Sequence, residues 1–186
     1  PAMAPSSRLY NRRGAVVSAV ALVNGLGRIA GCEVRGGPGM TGWIDTNSGG
    51  KVSAALDALD RCDLSYIHIE APDETSHQGR ADLKIQAIED YDKHVVQVCL
   101  AYLDAHPDTR LLAAPDHFTL VSTKGHAAGP VPFAVCGAGI AASGSSAYTE
   151  QEAEKSGILI EEGYQLVAQF LSAPAMDFSR TAPSEA

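Results

Sequence analysis

Three ligand-type motifs fall in order along this chain: Asp73-x-x-x-His77, the adjacent pair Asp116-His117, and a lone His126 nine positions further on. Carboxylate oxygens and imidazole nitrogens are common protein ligands for divalent metals. If residues 73–77 make a helical turn, Asp73 and His77 share one face, because side chains four apart are neighbours on a helix. That spacing suits two ligands of one ion. Asp116 and His117 are adjacent in an irregular segment, where side chains can converge on one ion or bridge two. His126 lies in Thr123-Lys124-Gly125-His126-Ala127, a glycine-flanked loop able to fold back over a site. Five such groups exceed what one ion usually takes, so the pattern predicts a two-metal site. Each motif alone is a common helix cap or surface pair, and the ordered combination carries the expectation. No obvious serine or cysteine nucleophile accompanies it.

These groups need a scaffold, and the flanking sequence supplies one. Residues 14–20 are a β-branched run bounded by glycine and read as a buried strand. A short helix over 22–30 closes at Gly31, and a second strand covers 32–35. The glycine-rich stretch 36–42 is a loop, either a plain connection or a flexible active-site loop. Residues 51–61 place apolar side chains at 52, 55, 56 and 59, one face of a helix. A strand over 63–69 ends before Pro72, and a long helix over 81–105 stops before Pro107. Strands follow at 110–114 and 131–136, the latter with Pro132 at its entry. Helices over 150–155 and 160–171 close the chain. The alternation predicts an α/β domain with a largely parallel sheet covered by helices on both faces. Asp73 and Asp116-His117 each follow a predicted strand, and open α/β sheets bind ligands beyond the carboxyl ends of their strands. One domain over 1–172 is expected, with a flexible Pro/Ser/Ala-rich tail over 173–186.

Composition narrows the function classes. The net charge of −8 argues against a general nucleic-acid binder, which carries a basic face. No apolar run reaches the roughly 18 residues of a membrane span, so no membrane partner is expected. The four cysteines at 32, 62, 99 and 136 form no CxxC pair and read as free thiols of a reducing, cytoplasmic setting. There is no signal peptide, and the first residue is Pro1, so the chain reads as part of something longer. His68, inside an apolar strand, is expected to be a satisfied core residue or a partner of a ligand. His94 and His106 are assigned no catalytic role. Arg12, Arg13, Arg28 and Lys124 could pair with an anion, although solvated surface charge is their default.

Around these residues the chain resembles a known family. His68-Ile69-Glu70-Ala71-Pro72-Asp73-Glu74, with His77-Gln78-Gly79, resembles the signature of the archaeal-type cofactor-independent (2,3-bisphosphoglycerate-independent) phosphoglycerate mutases of the alkaline phosphatase superfamily. Pro115-Asp116-His117, the loop ending in His126, Pro130-Val131-Pro132-Phe133, residues 14–20, Gly157-Ile158 and Glu161-Glu162-Gly163-Tyr164 match further family segments in order. The similarity runs to about residue 172 and covers only the family's carboxyl-terminal part. It implies a partial alkaline-phosphatase-like core with two divalent ions, Mn2+ or Zn2+, and Mg2+ as a further candidate. Asp73, His77 and His126 would hold one ion, and Asp116 with His117 part of the second. In the family, an Asp and a nucleophilic Ser near the N-terminus complete the second site, and those segments match nothing here. No catalytic nucleophile is therefore expected in this chain; Ser122 and Ser143 lack the family's nucleophile context. Ser76, Arg80 and Phe118 depart from the family pattern, and Arg80 bears on substrate preference.

The implied activity is interconversion of 3-phosphoglycerate and 2-phosphoglycerate through a phosphoserine, a step of glycolysis with a phosphorylated small-molecule substrate. This chain alone is expected to show no turnover. Two alternatives stand beside it: a related two-metal phosphatase, phosphodiesterase or sulfatase, or a non-catalytic metal-binding domain. The oligomeric state is left open.

Overall fold

The structure is a computed structural model that describes residues 5–171 and 176. It divides into two compact units, Pro1–Cys99 with Thr119–Gly125, and Leu100–Phe118 with His126–Ala186. The tail expected over 173–186 lies outside the described residues, Met176 excepted.

The first unit is built on β1 (Gly14–Val17), whose four residues are all buried. It lies between β2 (Glu33–Arg35) and β3 (Leu64–Ile67) in a parallel sheet, with Val17 opposite both Arg35 and Ile67. Parallel strands buried in this way need continuous apolar sequence, which the Ala-Val-Val run provides. Helix α1 (Ser6–Tyr10) precedes the sheet, and α2 (Ala21–Ile29) packs on β1 and β2 through Gly27. A Cβ at Gly27 would sit 3.0 Å from Val16 Cγ2 and 3.3 Å from Val34 Cγ2, so the close approach depends on glycine. Helix α3 (Ser48–Ala58) starts at Asn47, whose Oδ1 accepts from the Gly50 amide at 2.8 Å, and packs on β1 and β3.

After β3 come α4 (Ala71–His77) and a continuous helical run of α5 (Ala81–Tyr91), a π turn (Asp92–Val96) and α6 (Gln97–Ala105). The division between the units falls within α6, after Cys99.

In the second unit, β4 (Arg110–Ala113) pairs antiparallel with β7 (Ala134–Gly137), Arg110 facing Gly137 and Ala113 facing Ala134. Gly137 has φ +107, and its missing Cβ makes room for the Thr109 carbonyl. The Arg110 guanidinium donates to the Ala138 and Phe170 carbonyls at 2.6 and 3.0 Å. The chain closes with α7 (Glu150–Lys155), capped by the Thr149 hydroxyl, and α8 (Tyr164–Leu171). Between β4 and β7, β5 (Phe118–Leu120) and β6 (Gly125–Ala127) form a two-stranded ribbon, and the unit division falls inside both strands.

The mixed α/β architecture and the parallel sheet match the sequence expectation, while several details differ. The β4–β7 pair is antiparallel. Pro72, expected only to end the preceding strand, lies in the first turn of α4, where proline's preset φ suits the helix. The 36–42 loop, a plain connection or a flexible active-site loop by sequence, is tied down. Thr46 Oγ1 donates to the Thr41 carbonyl at 2.8 Å, and the Asn47 amide donates to the Gly39 carbonyl at 2.8 Å. All four cysteines are free, and burial pushes the Cys62, Cys99 and Cys136 thiols above their ordinary range. No helix among the described residues is long and apolar enough to cross a membrane.

Candidate metal centre

In the first unit, β1 and β3 end together, and the residues beyond them carry the chemistry. Helix α4 places Asp73 and Glu74 in its first turn, where negative charge suits the helix dipole, and His77 in its last. The predicted i,i+4 pairing is present, with Asp73 Oδ2 3.3 Å from His77 Nε2. The partners of these two groups fix their protons. Thr119 Oγ1 donates a short hydrogen bond to Asp73 Oδ1. His77 Nδ1 lies 2.9 Å from the Lys124 carbonyl, which can only accept, so Nδ1 carries the hydrogen. In the neutral ring, Nε2 then presents its lone pair to Asp73 Oδ2. Two lone pairs facing each other at 3.3 Å repel unless a proton or a cation lies between them.

The Lys124 carbonyl is itself held in place by local backbone geometry. Lys124 has φ 54, in the left-handed region, and opposite it Gly79 has φ +72. A Cβ at Gly79 would lie 2.6 Å from Lys124 Cε.

Glu70 and Glu74 extend the acidic face. One oxygen from each of Glu70, Asp73 and Glu74 lies within 4.8 Å of the others. Three carboxylates so close repel one another, and a divalent cation offsets that repulsion. Behind them, Lys51 is fully buried, and its Nζ donates to the Thr41 carbonyl at 2.9 Å and the His68 carbonyl at 3.3 Å. Burial pushes the Lys51 pKa down, against the pull of the Glu70 charge. Neither Thr119 nor Lys51 was singled out by the sequence reading. Only Lys51 left a trace there, as the first residue of the predicted helix whose apolar face is 52, 55, 56 and 59.

In the second unit, β4 leads into Asp116 and His117. Asp116 Oδ1 accepts the His117 amide at 3.0 Å, and Asp116 Oδ2 lies 3.5 Å from His117 Nε2. His126 sits in β6 rather than in a loop, and the ribbon brings its ring to 3.9 Å from that of His117. The structure thus groups Asp73 with His77 in one unit, and Asp116, His117 and His126 in the other. The remaining histidines are accounted for locally. His94 lies 3.8 Å from Asp90, and His106 stacks on Tyr102 while its Nδ1 donates to the Tyr102 carbonyl. Arg80 is engaged by Asp82 at 2.6 Å, a pairing that pulls the Asp82 carboxyl down to about 2.

All of these donors are oxygen or nitrogen, a set that suits a divalent metal ion. A family model of the metalloenzyme superfamily matches residues 4–171, and the chain belongs to that superfamily. A 2,3-bisphosphoglycerate-independent phosphoglycerate mutase of Methanothrix thermoacetophila is 44% identical over 168 residues, covering 90% of this chain and 43% of that protein. Its counterpart in Methanosarcina acetivorans is 43% identical over 150 residues, 80% of this chain and 38% of that protein. A solved Pyrococcus horikoshii protein superposes with a TM-score of 0.74 at 28% identity, covering 81% of this chain and 45% of that one. A cofactor-independent phosphoglycerate mutase of Thermoplasma acidophilum shares the fold with a TM-score of 0.52 at 16% identity, over 83% of this chain and 34% of that one. The chain therefore spans less than half the length of these relatives.

Proposed function

We propose that residues 1–172 form the carboxyl-terminal, metal-holding portion of a cofactor-independent phosphoglycerate mutase that interconverts 3-phosphoglycerate and 2-phosphoglycerate in the cytoplasm. The observation that carries this reading is the His77–Asp73 pair, in which an imidazole nitrogen and a carboxylate oxygen converge to 3.3 Å, a separation two ligands of one ion can take. Asp73, His77 and His126 hold one Mn2+ or Zn2+ ion, and Asp116 with His117 part of a second. Ions bound there would stabilise negative charge on a transferring phosphoryl group and on an activated serine oxygen. The chain's own residues hold and orient: Thr119 fixes Asp73, the Lys124 carbonyl fixes the proton of His77, and Lys51 anchors the loop around Thr41. The nucleophilic serine, together with the Asp that completes the second site, comes from the part of such a mutase that this chain does not match.

The test is 3-phosphoglycerate interconversion with Mn2+ added, alongside calorimetric titration of the chain with Mn2+. The chain alone binds metal and gives no turnover; mixing it with an upstream mutase segment carrying that Asp and Ser gives 2-phosphoglycerate. Release of inorganic phosphate instead would move the assignment to a two-metal phosphatase. A chain that binds no metal sinks the proposal.

A further inference from the structure

Behind α4 lies a second hydrogen-bonded chain that the metal reading does not use. Ser18 follows β1 and is 3% exposed. Its Oγ accepts the Val20 amide at 3.0 Å and lies 3.1 Å from His68 Nδ1. In a neutral ring the nitrogen facing the Glu70 carboxylate must carry the hydrogen, because a carboxylate only accepts, so Nδ1 accepts the Ser18 hydroxyl hydrogen. A neutral His68 with Nδ1 as acceptor carries its proton on Nε2, 3.2 Å from Glu70 Oε2. The donors therefore point one way, from the Val20 amide through Ser18 and His68 to the Glu70 carboxylate.

Both ends of the chain are fixed. The Ser18 carbonyl accepts from Asn24 Nδ2 at 3.0 Å, and the buried Lys51 ammonium donates to the His68 carbonyl and acts electrostatically on Glu70. The Glu70 carbonyl accepts the Asp73 and Glu74 amides at 2.9 and 3.2 Å, so the backbone at Glu70 is in register with the first turn of α4. One Glu70 oxygen stands within 4.8 Å of oxygens of Asp73 and Glu74.

We infer that Ser18 and His68 are positioning residues that hold the Glu70 carboxylate as a fixed anion beside Asp73, raising the affinity of the Asp73–His77 pair for a divalent cation. The inference rests on reading Asp73 and His77 as metal ligands, and it adds a role for three residues outside that ligand set. A neighbouring group that fixes or charges a metal ligand is typically worth about 10- to 100-fold in affinity.

Two measurements separate this inference from the metal reading. The first is 15N NMR of the histidine-labelled, metal-free chain, with the His68 signals assigned by their loss in His68→Gln. The Nε2–H tautomer is expected at His68, and an Nδ1–H tautomer overturns the relay whatever the metal does. The second is calorimetric titration with Mn2+. Glu70→Gln should bind about tenfold more weakly, and His68→Leu should match it. His68→Gln, whose amide N–H can still reach Glu70, should recover most of the loss. The double variant His68→Leu/Glu70→Gln should be no weaker than Glu70→Gln alone.

Unchanged affinity in Glu70→Gln overturns the role of Glu70, and that variant keeps the side-chain volume, so the test survives if His68→Leu does not fold. Equal loss in His68→Gln and His68→Leu, or additive loss in the double variant, reduces His68 to packing and overturns its positioning role. If the unmodified chain binds no Mn2+, the metal reading fails and takes the role of Glu70 with it. The relay then stands or falls on the tautomer.

Discussion

The first unit contains two histidine–carboxylate pairs that look alike by distance and differ in chemistry. His68 Nε2 lies 3.2 Å from Glu70, and His77 Nε2 lies 3.3 Å from Asp73. In the first pair, the far nitrogen meets a serine hydroxyl, which can give as well as take a hydrogen, so the near nitrogen of a neutral ring can donate to its carboxylate. In the second, the far nitrogen meets a carbonyl that can only accept, so a neutral ring places its hydrogen there and not toward Asp73. The first pair is a hydrogen bond with a neutral ring, and the second needs a proton or a cation shared between its two groups. The partner on the far side of the ring decides which one a pair becomes.

Breaking the second pair should have the largest effect. His77→Ala removes the ring nitrogen facing Asp73, and affinity for Mn2+ should fall by about a hundredfold or more, beyond the range for residues that only orient ligands. Calorimetric titration measures it, and unchanged affinity would remove His77 from the site. Thr119→Val should come next, because it takes the hydroxyl donor from Asp73 Oδ1 while keeping a β-branched side chain in β5. About a tenfold loss of affinity is expected from the same titration, with secondary structure retained by circular dichroism. A variant binding as tightly as the parent would mean that Asp73 needs no such support.

The first pair can be probed through the buried cation beside it. Burial holds the Lys51 pKa below 10.5. Between that lowered value and 10.5, the unfolded chain holds a proton that the folded chain has given up, so stability rises with pH across that window. Lys51→Met should lack this rise. Urea unfolding of both proteins through the alkaline range checks it, and parallel curves would contradict the buried charge. The smallest effect should come from a strong pair outside both sites. Arg80→Gln should return the Asp82 carboxyl from about 2 toward 3.8, read by NMR titration, and leave Mn2+ affinity unchanged. A change in affinity would place Arg80 closer to the metal chemistry than its pairing with Asp82 suggests.

Much of this arrangement was legible in local sequence. A four-residue spacing on a short helix after a strand put Asp73 and His77 on one face, and the Ala-Val-Val run announced a buried parallel strand. What escaped depends on partners far along the chain. Thr119 reaches Asp73 across 46 positions, and the His77 proton is set by a carbonyl 47 positions away. The ribbon carrying His126 has strands of three residues, too short for apolar alternation to show, so it read as a loop. The π turn at Asp92–Val96 interrupts the long helix, and nothing in the sequence marks it. Lys51 shows the limit from the other side. Its place at the start of the predicted helix was visible, but lysine so seldom lies inside that burial was not the natural reading.

Helix α4 has only seven residues, shorter than a helix that persists alone in water. Its shape is therefore lent to it by what surrounds it. The Thr75 and Ser76 hydroxyls, both buried, donate back to the Ala71 and Pro72 carbonyls and help close the turn from within. A segment of this kind opens and recloses far more often than the sheet beside it. A cation gripped at both its first and last turns closes it in proportion to its occupancy. If α4 holds the proposed metal, its amide hydrogens become a clock for the ion, slowing as it binds while those of β1 keep their pace.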